Sequence, residues 1–281
     1  MTYITYDDLP DVKNLLISNG IIAKKSLGQN FLIDLSITDR IVKQIPNIQN
    51  KIVIEIGAGV GTLTRALLKN NAKKVIAIEI DQRTIAIQNQ ISKYYPNKLN
   101  IVNKDALTLD HHDYMQLTGE EDFYICANLP YNISVPLLIS WLYQICFHKK
   151  ISGMMLMFQK EVANRITATQ DKNKSDYGRL AVLSNVICQT KQIFDIPAVC
   201  FYPKPKILSS VVSFNPIYNL DCSDFDIKKL DYIVKLLFSN RRKMIRHFIK
   251  DKNIFMECNI DETKRAEDLS IHEFIKLSKF F

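Results

Sequence analysis

The segment Glu55-Ile-Gly57-Ala-Gly59-Val-Gly61 joins an apolar strand pattern to a helical one. Glycines there let the backbone turn tightly and approach a ligand closely, and the start of a helix offers free N–H groups. A dinucleotide-binding loop has the spacing G-x-G-x-x-G, whereas here the third glycine comes one position early. The spacing therefore favours a ligand with a smaller, less anionic head than a pyrophosphate, such as an amino-acid or sulfonium group.

From residue 51 onward, short runs rich in Ile and Val alternate with helical patterns. Because this alternation is typical of β-α-β units, it predicts an α/β fold with a parallel sheet covered on both faces. Strands are predicted over 52–56, 75–80, 99–102, 123–127 and 154–158, and helices over about 61–70, 83–93, 134–147 and 160–169. Two further strands, over 189–196 and 209–215, are expected as an antiparallel pair at a sheet edge.

After Asn215-Pro216 the pattern becomes helical, with helices predicted over about 226–238, 242–250, 261–268 and 271–279. We therefore expect two domains, the first over residues 1–215 and a helical one over residues 216–281. The first is expected to bind the ligand at the glycine loop.

Composition indicates an ordinary globular protein. The 281 residues are 47% hydrophobic and 23% charged, which disfavours wholesale disorder. No apolar run reaches membrane-spanning length, and the first ten residues lack the features of a signal peptide, so a cytoplasmic protein with no membrane contact is expected. The six cysteines are scattered without ligand spacing, which predicts buried free thiols and no metal. The net charge of +8 points to an anionic partner.

Two acidic residues lie at the carboxyl ends of the next two predicted strands, at the same edge of the sheet. Glu79 comes 22 residues after Gly57, where a carboxylate can accept both hydrogen bonds from a ribose diol. Asp105 follows the third strand, and it either forms a turn or accepts from an adenine amino group.

The tetrapeptide Asn128-Leu129-Pro130-Tyr131 follows the fourth predicted strand. Since proline ends strand pairing, an amide side chain, two carbonyls and an aromatic ring are left at the ligand edge. This set fits a flat base with an exocyclic amino group, which would stack on Tyr131 and donate its amino hydrogens to Asn128 and a backbone carbonyl.

Together these motifs resemble the ribosomal RNA adenine N6,N6-dimethyltransferase family of class I, S-adenosylmethionine-dependent methyltransferases. The resemblance extends to KKSLGQNFL at 24–32, QKEVA at 159–163, YGRL at 177–180 and FYPKPK at 201–206, and it fades after about residue 250. It implies a Rossmann-like fold with a mostly parallel seven-stranded sheet and a small C-terminal all-α domain that binds ribosomal RNA.

The resemblance also implies roles for individual residues. Those expected to hold S-adenosylmethionine are Asn30, Leu32, Gly57, Gly59, Glu79, Asp105 and Asn128. Those expected around the target adenine are Asn128, Leu129, Pro130 and Tyr131, with Phe201 as the aromatic on the other face of the base.

Basic residues near the C-terminal end are expected to contact RNA. Lys204 and Lys206 lie in a proline-stiffened loop that can direct cations towards phosphates. In the predicted helix over 242–250, Arg242, Arg246 and Lys250 would share one face. The predicted RNA contacts are Lys204, Lys206, Arg241, Arg242, Lys243 and Arg246.

By resemblance, the expected reaction transfers methyl groups to N6 of two adjacent adenosines near the 3′ end of small-subunit (16S) rRNA, in a pre-ribosomal 30S-type particle. The enzyme is expected to be a monomer and to use no metal. Three alternatives stay open: a large-subunit (23S) rRNA adenine methyltransferase of the antibiotic-resistance type, a non-catalytic RNA-binding assembly factor, and a nicotinamide-dependent oxidoreductase. The glycine spacing disfavours the last of these.

Overall fold

The structure, a computed structural model, describes residues 10–218 and 225–281. The chain divides into two compact units that alternate along the sequence. The first contains the described residues up to Ser140, then Lys150–Lys160 and Ile193–Ser213. The second contains Trp141–Lys149, Glu161–Gln192 and the described residues from Phe214 onward. The predicted boundary after residue 215 lies close to the last of these divisions, and a separate role for the part beyond it stays a prediction.

The strands form one large sheet and one two-stranded ribbon. They are β1 (Phe31–Leu32), β2 (Ile52–Ile56), β3 (Lys74–Ile78), β4 (Leu99–Val102), β5 (Phe123–Asn128), β6 (Ile151–Gln159), β7 (Cys188–Ile196), β8 (Phe201–Tyr202) and β9 (Ser209–Pro216). The large sheet has the order β4-β3-β2-β5-β6-β9-β7, and β1 pairs with β8. The pairs β2–β3, β2–β5, β3–β4 and β5–β6 are parallel. The predicted α/β fold with a mostly parallel, seven-stranded sheet is confirmed.

The helices follow the strands as β-α-β connections and then dominate the C-terminal part. They are α1 (Val12–Ser18), α2 (Leu35–Val42), α3 (Thr62–Lys69), α4 (Gln82–Tyr94), α5 (His111–Thr118), α6 (Tyr131–His148), α7 (Lys160–Thr167), α8 (Arg179–Ile187), α9 (Ile227–Phe238), α10 (Lys252–Cys258) and α11 (Ile271–Ser278). The helices predicted over 61–70, 83–93, 134–147, 160–169, 226–238 and 271–279 are confirmed as α3, α4, α6, α7, α9 and α11. Among the described residues, no helix has the length and apolarity needed to span a membrane.

Strand β2 lies inside the sheet, and all five of its residues are buried. A parallel strand that is covered on both faces has no polar face to expose, so its sequence is a continuous apolar run. The exception is Glu55, which faces Ala77 on β3 and Cys126 on β5. Since β2, β3 and β5 run parallel, the loops that follow them all lie at one edge of the sheet.

The second unit has an aromatic core of its own. The Tyr177 and Phe238 rings meet edge to face with centroids 6.1 Å apart, and Phe238 stacks on Phe274 at 5.7 Å. The Tyr177 hydroxyl donates a hydrogen bond to the Leu269 carbonyl at 3.2 Å. The ring is thus buried with its polar end satisfied.

The predicted helix over 242–250 is wrong. Met244 is extended (φ −65°, ψ 147°) and forms an isolated antiparallel bridge with Arg265. The Ile245 N–H donates to the Lys264 carbonyl at 2.8 Å instead of to a preceding turn. Because these backbone groups are hydrogen-bonded to a distant segment, a continuous helix cannot form, and only one 3₁₀ turn is present, over Ile245–His247.

The helix predicted over 261–268 is also wrong. Helix α10 lies earlier in the chain and ends at Cys258, and Asn259 follows it in the left-handed conformation (φ 53°). Within 261–268 the chain forms only a short 3₁₀ turn, Ala266–Asp268.

The prediction of buried free thiols is confirmed for the cysteines that the structure describes. Cys126, Cys146, Cys188, Cys200 and Cys258 are free and buried. Cys222 lies outside the described residues.

Candidate active site

The loops at the carboxyl edge of β2, β3, β4 and β5 surround a cavity of about 260 Å³ in the first unit. Nearly all the residues predicted to bind the cofactor or the target base line this cavity. They are Asn30, Leu32, Gly57, Gly59, Glu79, Asp105, Asn128, Leu129, Pro130 and Tyr131. Parts of the chain separated by up to about a hundred residues therefore meet at one concave site, as is usual for open α/β sheets.

The glycine loop turns directly from β2 into α3. Gly57 (φ 69°) donates its N–H to the Ile78 carbonyl at 2.8 Å, and Gly59 also has positive φ (50°). A Cβ atom on Gly59 would lie 3.2 Å from the Phe31 ring. A side chain at this position would therefore require the ring to shift by a few tenths of an ångström.

Glu79 supports this loop from the end of β3. Its carboxylate accepts a hydrogen bond from the Gly59 N–H at 2.7 Å and another from the Asp81 N–H at 2.8 Å. Burial raises the pKa of this carboxyl group, and the backbone donors oppose that effect. A carboxylate has about four acceptor positions, so both oxygens can still receive hydrogen bonds from a ligand.

Glu55 is a second buried carboxyl group in the cavity wall. The Thr64 hydroxyl donates to it at 2.6 Å. Burial, with a further contribution from the charge of Glu79, raises the pKa of Glu55 from 4.5 to about 8.

Sequence reasoning missed a polar cluster that fastens the segment before β1 to the end of β3. The Gln29 amide donates to the Asp81 carboxylate at 2.9 Å, and Arg83 binds the same carboxylate through Nε and Nη2 at 2.9 and 2.6 Å. These contacts, led by Arg83, lower the pKa of Asp81 to about 2. Gln29 and Asp81 are 52 residues apart, so no local pattern indicated the contact.

The Asn128 side chain is oriented by one hydrogen bond. Its Nδ2 donates to the Asn30 carbonyl at 3.2 Å, so its Oδ1 remains available as an acceptor. The Pro130 carbonyl already accepts the Ile133 N–H at 3.1 Å. The carbonyl of Leu129 is therefore the better second acceptor for a ligand in this loop.

Tyr131 begins helix α6 and is half-buried. Its hydroxyl is hydrogen-bonded to the Ser209 hydroxyl at 2.8 Å, a contact that the sequence did not suggest. Burial raises the pKa of Tyr131, so the ring carries a neutral hydroxyl.

Asp105 lines the cavity and also caps the turn that follows it, accepting the Leu107 N–H at 2.9 Å. Phe201 is buried, lies opposite Leu32 in the β1–β8 ribbon and does not line the cavity. Its neighbour Tyr202, opposite Phe31, is exposed. A role for Phe201 beside the target base stays a prediction.

The cavity wall suits an adenosyl group with a charged amino-acid tail. Apolar side chains such as Leu32, Ile78 and Leu107 alternate with the polar groups described above. The Thr62 hydroxyl in this wall is buried and has no hydrogen-bond partner among the described residues. Since buried polar groups are normally paired, it leaves one donor and acceptor for a ligand.

The predicted RNA-contacting residues differ in their surroundings. Lys204 and Lys206 are exposed in the first unit, and Arg242, Lys243 and Arg246 are exposed in the second. Arg241 instead binds Glu267 and the carbonyls of Lys174 and Ser175 within the second unit.

Comparison with known proteins identifies the family of the chain. The sequence profile of the family described as "Ribosomal RNA adenine dimethylase" matches residues 21–281. A protein named "Ribosomal RNA small subunit methyltransferase A" from Bartonella henselae is 44% identical over 276 residues, which cover 97% of this chain and 98% of that protein. A protein of the same name from Mesorhizobium japonicum is 40% identical over 280 residues, 98% of this chain and 99% of that protein.

Solved structures support the same grouping. A dimethyladenosine transferase from Plasmodium falciparum has a TM-score of 0.71 and 26% identity, covering 87% of this chain and 94% of that one. A 23S rRNA methyltransferase shares the fold with a TM-score of 0.65 at 21% identity, covering 89% and 98% of the two chains. The fold, the cavity and near-full-length similarity lead to one assignment: the chain belongs to the ribosomal RNA adenine dimethylase family.

Proposed function

We propose that the protein is a methyltransferase that uses S-adenosylmethionine to dimethylate N6 of two adjacent adenosines near the 3′ end of small-subunit (16S) rRNA. The observation that carries this proposal is the tethered Asn128 amide, whose free oxygen lies in the same cavity as the glycine loop and Glu79. The relatives named for the small subunit, which match almost the whole chain, support the choice of substrate.

The cofactor would be held by residues whose groups are free for it. Gly57 and Gly59 would bring the backbone close to its amino-acid tail, and Glu79 would accept from its ribose hydroxyls. Asp105 and the apolar side chains around it would enclose the adenine. When bound, S-adenosylmethionine supplies a methyl group on a positively charged sulfur.

The chain's own part in the chemistry is to orient the target amine. Adenine N6 is a poor nucleophile because its lone pair is delocalised into the ring. If Asn128 Oδ1 and the Leu129 carbonyl accept its two hydrogens, they favour a localised lone pair that points towards the methyl group. Tyr131 would stack on the base, and the surplus proton would leave to water. This is catalysis by position and electrostatics.

The RNA would be bound through exposed basic side chains. Lys204, Lys206, Arg242 and Lys243 are exposed and suited to phosphate contacts. Arg246 is also exposed, and it forms an ion pair with Glu262 at 3.6 Å that phosphate contact would have to replace. Arg241 is occupied by contacts inside the second unit, so we assign it a structural role instead. We further propose that the substrate is a pre-ribosomal 30S-type particle and that the enzyme acts as a cytoplasmic monomer.

The decisive experiment offers labelled S-adenosylmethionine with small and large ribosomal subunits that lack N6-methyladenine, followed by nucleoside analysis. We expect N6,N6-dimethyladenosine in small-subunit RNA only. Asn128→Ala should reduce the rate at least about 100-fold, as loss of one positioned polar group at a reacting centre commonly does. Asn89→Ala makes the same chemical change on the exposed face of α4 and should leave the rate unchanged.

Two other outcomes would contradict the proposed function. Label in large-subunit RNA would reassign the substrate and keep the chemistry. Cofactor binding without transfer to either subunit would favour a non-catalytic assembly factor on the same fold.

A further inference from the structure

Helix α9 in the second unit presents a basic and aromatic outer face. Lys228, Tyr232 and Lys235 follow at intervals of four and three residues, so they share one face of the helix, and all three are exposed. The opposite face is buried and carries Leu230, Ile233, Val234 and Leu237. The inward face packs the helix into the second unit, whereas the outward face is open to solvent.

Two further aromatic rings extend this face. Lys228 Nζ lies 5.8 Å from the ring centroid of Phe147, which is 53% exposed. The Tyr232 ring, 58% exposed, has its centroid 6.1 Å from that of Phe281, which is 38% exposed. Single exposed apolar residues need no explanation, but a contiguous set of them usually marks an interaction site.

Two carboxylates lie on the same helix as these lysines, and the charge of Asp231 also interacts with that of Lys235. Asp231 accepts from Arg179 Nε and Nη2 at 2.6 and 2.8 Å, and from the Tyr143 hydroxyl at 3.0 Å. Asp226 caps the helix by accepting the Lys228 N–H at 2.7 Å. Both carboxylates are thus engaged by other groups of the second unit.

We propose that Phe147, Lys228, Tyr232, Lys235 and Phe281 form a binding surface for unpaired RNA nucleotides, here termed the α9 surface. Aromatic rings beside lysines are the combination that binds single strands, because bases stack on the rings while the ammonium groups neutralise phosphates. A protein partner is a poorer match, since lysine is depleted from the cores of protein interfaces. The inference rests on the proposed function for its RNA partner, and it concerns residues other than the predicted RNA contacts.

The first test measures binding of the full-length protein to a labelled, unstructured RNA of about ten nucleotides by fluorescence anisotropy. Tyr232→Ala should raise Kd at least about fivefold, the lower end of what loss of one stacked base costs, while Tyr232→Phe should stay near the wild type. Met256→Ala removes an apolar side chain from α10 that is even more exposed (71%) and is the matched control. The logarithm of the RNA association constant falls as the logarithm of the salt concentration rises. The double variant Lys228→Ala/Lys235→Ala should make this slope less steep by about 0.7 per lysine.

The second test maps the contact. RNA carrying photoreactive 4-thiouridine should crosslink to the peptides that contain Tyr232 and Phe281. Unchanged affinity and salt slope in both surface variants, or crosslinks that map elsewhere, would overturn the proposal. So would variants that bind naked RNA normally but bind the assembled subunit less well, because the partner would then be a ribosomal protein.

These results are separable from the proposed function. Methyl transfer at saturating RNA should persist in the Tyr232 variants, because the α9 surface takes no part in the chemistry. A wild-type protein that transfers no methyl group would contradict the proposed function, whereas the oligonucleotide crosslinks would still test the surface.

Discussion

The Tyr131 hydroxyl is hydrogen-bonded to the Ser209 hydroxyl at 2.8 Å, and this bond orients the ring that is proposed to stack on the base. Ser209 is buried at the start of β9, and the preceding Leu208 carbonyl accepts the Lys160 N–H at 2.9 Å. The ring is thus fastened to the sheet through a strand that begins 78 residues later in the chain. Ser209 is therefore a positioning residue, which would act on the base through Tyr131.

Ser209→Ala should lower kcat/KM for RNA about fivefold, because one hydrogen bond contributes about 1 kcal/mol. We expect Tyr131→Phe to have a similar effect and the double variant to add little, since both remove the same contact. The affinity for the cofactor should not change in any of the three. Steady-state kinetics with RNA varied, together with calorimetric titration of the cofactor, checks this. Additive losses, or a parallel loss of cofactor affinity, would mean that Ser209 acts only through general packing.

Glu55 makes the stability of the fold depend on pH. Its pKa rises from 4.5 to about 8 on folding, chiefly through burial. A group whose pKa is higher in the folded state contributes fully to stability when the pH is below its pKa in the unfolded state. That contribution is lost as the pH rises to its pKa in the folded state. Glu55 should therefore destabilise the protein progressively between pH 4.5 and pH 8.

Glu55→Gln keeps the shape of the side chain and an oxygen for the Thr64 hydroxyl, but it cannot ionise. We expect its Tm to approach that of the wild type near pH 5 and to exceed it increasingly up to pH 8. Thermal melts of both proteins across this range test the expectation, and the difference between them cancels the titration of all other groups. A difference that stays constant with pH would show that Glu55 does not titrate in this range.

At the scale of elements, the parallel strands were predictable because burial on both faces leaves a continuous apolar run. Strand β2, whose five residues are all buried, matches its predicted bounds to the residue. The edge strand β4 matches its bounds too, although its four residues are only partly buried. The segment 241–250 was not predictable in the same way. Its spacing of Met244, Ile245, Phe248 and Ile249 fits a helix, but a bridge to Arg265 decides its backbone. Local periodicity carries no information about such a distant partner.

Some features of the candidate site were also predictable from local sequence, and others were not. Glycine spacing, Glu79 and Asn128 were visible in the sequence because each lies directly after an apolar strand. The contacts of Gln29 with Asp81 and of Tyr131 with Ser209 were not, because they join side chains 52 and 78 residues apart. Sequence therefore predicts which groups reach the ligand edge, and the tertiary fold decides what orients them.

Arg241 and Arg242 are neighbours whose substitution should have different consequences. Arg241→Ala removes hydrogen bonds to Glu267 and to backbone carbonyls, so it should lower the free energy of unfolding by about 1–3 kcal/mol. Arg242→Ala removes an exposed cation, so stability should change by less than about 0.5 kcal/mol. RNA binding by Arg242→Ala should instead weaken and become less dependent on salt. Denaturant titration and salt-dependent binding of both variants distinguish the roles; a destabilised Arg242→Ala with intact RNA binding would reverse the assignment.

For the whole molecule, the net charge of +8 suits an RNA substrate, but charge alone does not give specificity. Specificity requires that the base-binding loop and the cofactor loop act at one cavity. All the residues that line this cavity belong to the first unit, between Ser26 and Ile133. The exposed arginines at 242 and 246 belong to the second unit. The proposed cofactor site and these proposed RNA contacts therefore belong to different compact units.

This division predicts where a cofactor product should stabilise the protein. S-adenosylhomocysteine at about 100 times its Kd should add about 2.7 kcal/mol to the free energy of unfolding of whatever unit it binds. Hydrogen exchange should slow in peptides around the glycine loop, Glu79 and Asn128, whereas peptides within 225–281 should exchange at their original rates. NADH at the same concentration is the control and should slow exchange nowhere, because the glycine spacing departs from that of dinucleotide sites. Protection by NADH instead would favour the oxidoreductase alternative, and protection confined to the second unit would mean that the cavity is not the cofactor site.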